Sequence, residues 1–191
     1  MLSKKNIALT ILAAAGGTLL ILSQSAWCDQ HGNSAKLEGA WIGKVLGTPV
    51  TWSYSLAPDP SGRSAAMSGS IQVPIGPSVV VPGLFPDLEY YSPMVGQAVM
   101  TGRDTVQFTA VWYGMKTGVP FNQVVFIGVN SGEGKFTKSG QLINTNHLAF
   151  YAPSADADHD GLPDPGQTPA LCLPATVSLE SRVPMIAPCT P

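Results

Sequence analysis

Four aspartates lie close together near the C-terminal end of the 191-residue chain. Asp156, Asp158 and Asp160 occupy alternate positions, Gly161 follows them, and Asp164 completes the group. Alternate spacing lets successive carboxylates converge on one hard cation, and the glycine permits the sharp bend that brings later ligands around it. Without a cation, four neighbouring carboxylates would repel one another. The spacing therefore predicts a calcium site, and the alternative is a solvated acidic turn.

This segment resembles an EF-hand calcium loop and, more closely, the aspartate-rich loops of thrombospondin type 3 repeats. The resemblance implies that the carbonyl of Leu162 is a further ligand. It also places Gln167, with one neutral oxygen, where an EF-hand has a bidentate glutamate. Glu180 is a remote alternative for the missing ligand. We therefore expect a Ca²⁺ affinity of about 10⁻⁴–10⁻³ M and a structural role, in which the ion holds the tail against the domain.

His147 is the one histidine that falls on a predicted strand, where it shares a face with Ile143 and Tyr151. If that face points into a barrel, His147 is a candidate general acid or base. Asn144 and Asn146 lie on the opposite face and build no cluster with it. The alternative is a partly exposed or hydrogen-bonded histidine. The sequence contains no nucleophile elbow, phosphate loop or zinc-type cluster, so a non-enzymatic role is favoured and an enzyme is left open.

Alternating aromatic residues on several predicted strands are candidates for the wall of an apolar pocket, although such residues also fill solid cores. The candidate pocket residues are Trp41, Trp52, Tyr54, Phe108, Trp112, Phe126 and Phe150.

The N-terminal segment has the layout of a secretory signal peptide. Lys4 and Lys5 precede an apolar run, and the small residues Ser23 and Ser25 favour cleavage near residue 25. Residues 1–25 are therefore predicted to be a signal peptide and 26–36 a flexible leader, in a periplasmic or secreted protein. The alternatives are an uncleaved anchor and a lipoprotein.

The net charge and hydropathy of the exported chain argue against nucleic acid as a partner and against a membrane span. Loss of the two signal lysines leaves eight basic against twelve acidic residues, a net charge of −4. An acidic exported chain is poorly suited to nucleic acid. No second apolar run reaches the length of a membrane helix, so no span is expected after cleavage.

Export makes disulfides plausible among the three cysteines. Cys172 and Cys189 bracket the proline-rich tail and form one natural pair. The competing arrangement joins Cys28 to one of them, and the sequence does not choose between the two.

The composition indicates a small, turn-rich β domain. Hydrophobic residues make up 45% of the chain and charged residues only 12%, with 20 glycines and 17 prolines. Such a chain has enough apolar residues for a core but is poor in long helices, and it is neither a coiled coil nor a basic nucleic-acid-binding protein.

Alternating apolar and polar residues predict the strands that carry these side chains. Asp59-Pro60-Ser61-Gly62 is a turn, because proline presets its φ and glycine accepts a positive φ. Ser131-Gly132-Glu133-Gly134 is interpreted as another turn. The predicted strands are 37–45, 52–56, 65–73, 95–100, 105–115, 123–130, 135–138 and 141–151.

The number and short spacing of these strands predict an all-β fold, an antiparallel up-and-down barrel of about eight strands over residues 37–152. A β-sandwich is the alternative. Residues 153–191 are predicted to be the acidic calcium-binding loop and a tail rich in proline and cysteine.

The first strand contains Gly39-Ala40-Trp41, preceded by Leu37. This resembles the Gly-x-Trp opening of lipocalin-like barrels. The resemblance implies that Trp41 closes the barrel floor and that the interior holds one small apolar ligand.

Residues 74–93 contain five prolines, which exclude both a helix and a central strand. We interpret this segment as a lid or as an interaction loop for an envelope protein, the alternative being a packed surface loop.

The leading hypothesis is an exported, non-enzymatic barrel that binds a small apolar ligand and has a structural calcium site. One alternative is a barrel isomerase or hydrolase that uses His147. The other is an envelope or surface interaction module whose core is filled.

Overall fold

The computed structural model describes residues 36–72, 85–119 and 121–184. Within these ranges the chain forms ten β-strands and one 3₁₀ turn at Pro153–Ala155. The strands are β1 (Gly39–Val45), β2 (Thr51–Pro58), β3 (Ser64–Gln72), β4 (Tyr90–Tyr91), β5 (Met94–Met100), β6 (Thr105–Lys116), β7 (Gln123–Phe136), β8 (Leu142–Tyr151), β9 (Leu171–Cys172) and β10 (Thr176–Arg182).

Eight of these strands form a closed antiparallel barrel. Their order is β1-β2-β3-β5-β6-β7-β8-β10, and β10 pairs with β1 as well as with β8. Glu180 of β10 thus stands opposite Gly43 of β1 on one side and Leu142 of β8 on the other. The short strands β4 and β9 pair with β6 and β8 outside this circuit. The predicted barrel is confirmed, and the sandwich alternative is wrong.

Side chains alternate between the barrel interior and its outer surface, as the period of two predicts. In β1 the buried positions are Trp41, Gly43 and Val45, with exposed residues between them. The core is built mainly of large apolar side chains with alanines between them, and aromatic residues contribute much of its volume.

One predicted turn is in fact part of a strand. Residues 131–134 continue β7 without interruption, so predicted strands 123–130 and 135–138 are one element. Gly132 is needed there because a Cβ on it would lie 1.9 Å from the Thr145 carbonyl oxygen and 3.0 Å from Cζ of Phe108. The glycines of this stretch therefore serve close packing inside the barrel and not a change of chain direction.

The strand that closes the barrel lies beyond the boundary predicted at residue 152. Thr176–Arg182 forms β10, which the sequence analysis had assigned to the tail. Its alternation is inverted: Ser178 and Glu180 are buried, whereas Val177 is exposed. A search for apolar inward faces therefore passes over this strand.

The connections between the strands differ at the two ends of the barrel. Four connections join strands at one end of the barrel, here called the loop end: β1 to β2, β3 to β5, β6 to β7 and β8 to β10. The chain entry before β1 lies at the opposite end.

Trp41 fills the end opposite the loop end. Its side chain is 1% exposed, and its indole N–H donates to the Leu37 carbonyl at 3.0 Å. The Arg182 guanidinium lies 5.2 Å from the ring centroid, and the Phe136 ring centroid is 6.0 Å away. This is the position that the lipocalin-like resemblance implies for Trp41.

Several predictions concern residues outside those that the structure describes. They are the signal peptide 1–25, most of the leader 26–36, residues 74–84 of the proline-rich segment, Cys28 and Cys189. In the described part of the chain, no helix has the length and apolar character needed to cross a membrane.

Gly132→Ala tests whether this glycine belongs to a strand or to a turn. In a turn the added methyl group points to solvent, whereas in β7 it meets the backbone of β8. We expect the free energy of unfolding to fall by about 1–3 kcal/mol, as for other overpacked sites, measured by urea denaturation. Ser131→Ala is the control and should have little effect. A fully stable Gly132→Ala variant would contradict the continuous strand.

Candidate functional site

The barrel encloses a cavity of about 280 Å³, lined mainly by apolar side chains. One wall comes from β2, β3, β5 and β6 and includes Met67, Ile71 and Met94. Five of the seven predicted pocket residues lie on the cavity wall: Trp52, Tyr54, Phe108, Trp112 and Phe150.

The other two predicted pocket residues, Trp41 and Phe126, are buried elsewhere in the core. Trp41 fills the end described above. Phe126 lies in an aromatic cluster, with ring centroids 4.8 Å from Phe85 and 5.2 Å from Phe150. These two side chains support the site by packing and do not line the cavity.

The second wall of the interior carries a group of polar side chains among apolar ones. Three adjacent strands, β7, β8 and β10, direct Asn130, Asn144, Asn146, Ser178 and Glu180 inward, and all five residues are buried. Buried polar side chains destabilise the folded protein unless they form hydrogen bonds, so we expect these five residues to form a hydrogen-bond network. We call these five residues the polar wall.

Glu180 is the centre of the polar wall and is only 2% exposed. Its Oε1 accepts hydrogen bonds from Asn144 Nδ2 at 2.6 Å and from Trp52 Nε1 and Ser178 Oγ, each at 3.2 Å. Its Oε2 accepts a hydrogen bond from the Tyr54 hydroxyl. Four donors therefore surround one carboxylate, close to the number that its lone pairs accommodate.

Gly43 allows the Trp52 indole to reach Glu180. Trp52, Gly43 and Glu180 stand side by side on β2, β1 and β10. A Cβ on Gly43 would lie 2.0 Å from Trp52 Nε1. Because glycine has no side chain, the indole lies across β1 and donates to the carboxylate two strands away.

The surroundings of Glu180 shift its titration and that of Tyr54. Burial raises the pKa of Glu180 above its ordinary value of 4.5, although the hydrogen bonds it accepts act in the opposite direction. The pKa of Tyr54 is raised well above 10.0, first by burial and second by the nearby carboxylate. Tyr54 therefore keeps its proton while Glu180 titrates.

A chain of hydrogen bonds runs from Glu180 to the other side of the polar wall. Ser178 Oγ accepts from Asn146 Nδ2 at 3.0 Å, and Asn146 Oδ1 accepts from Asn130 Nδ2 at 3.2 Å. Asn130 is 8% exposed and lines the cavity, and its Oδ1 has no hydrogen-bond partner in the described part of the protein. The same is true of Asn144 Oδ1 and Thr176 Oγ1. The cavity thus has buried polar atoms on its wall that protein groups do not satisfy.

His147 does not face the cavity. The prediction grouped it correctly with Ile143, but the structure exposes that face at the outer surface. Asn144 and Asn146, on the face opposite His147, are the residues that point inward. The condition for a catalytic His147, an inward position, is not met.

The acidic loop lies at the loop end, after β8. The carboxylate oxygens of Asp156, Asp158 and Asp160 lie within 4.8 Å of one another, as the alternate spacing predicts. Backbone N–H groups orient them: Gly161 donates to Asp156 Oδ2 at 3.1 Å and Leu162 to Asp160 Oδ1 at 2.8 Å.

The other residues of the calcium prediction are arranged differently. Asp164 accepts a hydrogen bond from the backbone N–H of Ala157, and Gln167 is an exposed residue. Glu180, the remote alternative ligand, is committed to the polar wall. The Tyr113 hydroxyl donates to the Gly161 carbonyl at 2.9 Å and so fixes the loop to β6. Calcium binding here stays a prediction of the sequence.

The described part of the proline-rich segment packs against the barrel. Tyr91 of β4 pairs with Gly114 of β6 and lines the cavity, and Phe85 lies against Phe126. Residues 85–91 therefore cover part of the loop end. An envelope partner for 74–93 stays a prediction.

Cys172 is exposed in the short strand β9. Because its two candidate partners lie outside the described residues, both pairings stay predictions.

Comparison with known proteins gives one distant structural likeness. No protein-family model matches the chain, and no curated protein matches it. Among solved structures, the chain is similar to one described as EF1p2_mFAP2b bound to DFHBI. The identity is 15%, the coverage is 80% of this chain and 99% of that chain, and the TM-score is 0.43. A likeness this distant does not bear on what the present chain binds.

Sequence reasoning named Glu180 only as a remote alternative calcium ligand, and it missed Glu180 and the asparagines as residues of the barrel interior. The one available signal was a lone carboxylate in the alternating stretch Thr176–Arg182, flanked at every second position by Ser178 and Arg182.

Glu180 should make the stability of the protein fall with rising pH over one range. Above pH 4.5 the unfolded chain releases this proton, whereas the folded chain keeps it up to its higher pKa. The free energy of unfolding therefore decreases through that range, by at most about 1.4 kcal/mol per pH unit. Urea denaturation of Glu180→Gln should show a flatter profile, whereas the exposed control Glu38→Gln should not. Identical profiles for Glu180→Gln and wild type would contradict the raised pKa.

Calcium should stabilise the protein through the acidic loop. A ligand that binds only the folded state adds about 2.7 kcal/mol at 100 times its Kd. Thermal denaturation with calcium or with chelator should thus give a higher Tm with calcium, and Asp158→Asn should reduce the difference. Glu38→Gln, which changes charge equally but lies outside the loop, should keep it. No calcium effect on the wild type at concentrations well above 1 mM, the upper end of the expected range, would reject the site.

Proposed function

We propose that this protein is a carrier or receptor that binds one small, predominantly apolar ligand inside the barrel. The observation that carries the proposal is the 280 Å³ cavity, with aromatic and aliphatic residues on one wall and a few fixed polar groups on the other. Small-molecule sites have this character, with volumes from about 300 Å³ upward.

The form of the polar wall supports binding over a merely structural interior. A core that serves only stability is usually apolar, since well-packed apolar residues replace buried polar networks at little or no cost. Here Asn130 and Asn144 each keep an unpartnered oxygen. Each such oxygen costs about 1–3 kcal/mol unless something else satisfies it. A bound molecule with a polar group removes part of that cost.

The two alternative hypotheses, an enzyme and an interaction module, each depended on a feature that differs in the structure. The enzyme hypothesis depended on His147, which is exposed on the outer surface. The interaction-module hypothesis depended on a filled core, whereas this barrel contains a cavity.

The proposal also includes export of the protein and calcium binding by the acidic loop. The N-terminal pattern favours a periplasmic or secreted carrier, in which an ion at Asp156, Asp158 and Asp160 would fix the loop next to the barrel. Both points rest on the sequence, and the calcium titration above tests the second.

Cavity filling tests ligand binding. N-phenyl-1-naphthylamine is an apolar dye whose fluorescence increases in an apolar site, and we expect saturable binding to the full chain. Ala98 is 2% exposed and lines the cavity. Ala98→Leu should therefore weaken dye binding about tenfold or more, because the added side chain occupies ligand space.

The matched control is Gln97→Leu, which adds the same side chain to the outer face of the same strand. It should bind the dye as the wild type does. Equal affinities for Ala98→Leu and Gln97→Leu, or no saturable binding by the wild type, would reject the proposal.

A further inference from the structure

The hydrogen bonds of the polar wall run in one donor-to-acceptor direction, toward Glu180. An ionised carboxylate only accepts hydrogen bonds, so every neighbour of Glu180 must donate to it. Tyr54, Trp52, Asn144 and Ser178 do so. Two cavity-lining groups on β2 that could donate to a ligand, the Tyr54 hydroxyl and the Trp52 indole, are therefore already in use.

The same constraint passes along the chain of hydrogen bonds to Asn130. Because the Ser178 hydroxyl gives its proton to Glu180, its oxygen must accept from Asn146. Asn146 thus turns its NH₂ group toward Ser178 and its oxygen toward Asn130. Asn130 then has to use its own NH₂ group for Asn146.

The amide oxygens on the cavity wall that have no partner in the described part of the protein, Asn130 Oδ1 and Asn144 Oδ1, therefore only accept. Asn144 Oδ1 lies against Gly134, whereas Thr176 Oγ1 is a hydroxyl that can accept as well as donate.

We propose that the cavity selects ligands that carry a hydrogen-bond donor, a hydroxyl group on an apolar skeleton, and that Asn130 Oδ1 accepts this hydrogen bond. Glu180 is a positioning residue, because it orients the Asn130 amide through Ser178 and Asn146. The Thr176 carbonyl, which also accepts from Asn146 Nδ2 at 3.4 Å, supports the same orientation. This inference rests on the proposed ligand-binding function and adds to it the chemical class of the ligand.

The burial of Asn130 makes the acceptor selective. A buried acceptor that stays unpaired loses its hydration without compensation, so a ligand without a donor binds at a penalty. Transfer from water into an apolar cavity would by itself make a fluoro analogue bind more tightly than a phenol, because the fluoro analogue is less well hydrated. A preference for the phenol therefore reports on the hydrogen bond and not on hydrophobicity.

The test uses two probes of nearly the same shape, 4-ethylphenol and 1-ethyl-4-fluorobenzene, at mildly alkaline pH. Each competes with bound N-phenyl-1-naphthylamine on the full-length protein. We expect the phenol to compete at least about tenfold better, which corresponds to one hydrogen bond of about 1.4 kcal/mol. Glu180→Gln should lower the ratio, because the glutamine amide can donate to Ser178 and so removes one of the two groups that orient Asn146. The change should be smaller than in a variant without the acceptor, because the Thr176 carbonyl still accepts from Asn146 Nδ2.

Asn130→Leu is the second variant and removes the acceptor itself. It should abolish the preference for the phenol while the dye still binds, and Gln97→Leu should keep the wild-type ratio. The ratio of the two probes is the decisive quantity, since a loss of packing weakens both probes alike.

The outcomes separate this inference from the proposed function. If the dye binds and the two probes compete equally or not at all, the donor preference is wrong and the binding function stands. If the ratio is unchanged in Asn130→Leu, the acceptor has been misassigned. If the dye does not bind the wild type, the proposed function fails and the inference fails with it.

Discussion

The burial of one carboxylate determines how this barrel is organised. Glu180 lies on β10, the strand that joins β8 to β1, so the group that orders the polar wall is carried by the element that closes the fold. Isolated, a buried charge would cost several kcal/mol, and the structure answers with four hydrogen-bond donors from three strands. Trp52 reaches it only because position 43 is glycine. The same strand, β10, therefore closes the barrel and supplies the residue that orients the polar wall.

The cavity follows from the contrast between its two walls. Aromatic and sulfur-containing side chains predominate on β2, β3, β5 and β6, whereas β7, β8 and β10 contribute amides, hydroxyls and a carboxylate beside the apolar residues of β8. The short polar side chains are held to one another by hydrogen bonds and do not extend across the barrel. Space therefore remains between the walls. The acidic loop and residues 85–91 lie at the loop end, where Tyr91 lines the cavity.

The sequence predicts the barrel well and its interior badly, for one physical reason. Period-two alternation identifies most strands whichever face is buried, so the antiparallel up-and-down order is accessible from the sequence. The predicted number of eight agrees with the barrel only because the division of β7 into two strands offsets the omission of β10. The choice of inward face depends on hydrophobicity, whereas the buried faces of β8 and β10 carry the polar residues Asn144, Asn146, Ser178 and Glu180. Whether the face with Ile143 and His147 points inward therefore stays open in the sequence, and β10 falls in the segment predicted to be the tail. The glycines at 132 and 134 were taken for a turn, because a sequence does not show which neighbouring side chain needs their space.

The most direct measurement is a crystal structure of the protein with 4-bromophenol, in which anomalous scattering locates the bromine. The account predicts a bromine peak inside the barrel, among the aromatic residues, with the phenol oxygen within about 3.0 Å of Asn130 Oδ1. It also predicts that the Ser178 and Asn146 contacts stay as described here. A phenol bound only on the outer surface, or one inside the barrel with its hydroxyl away from the polar wall, would contradict it.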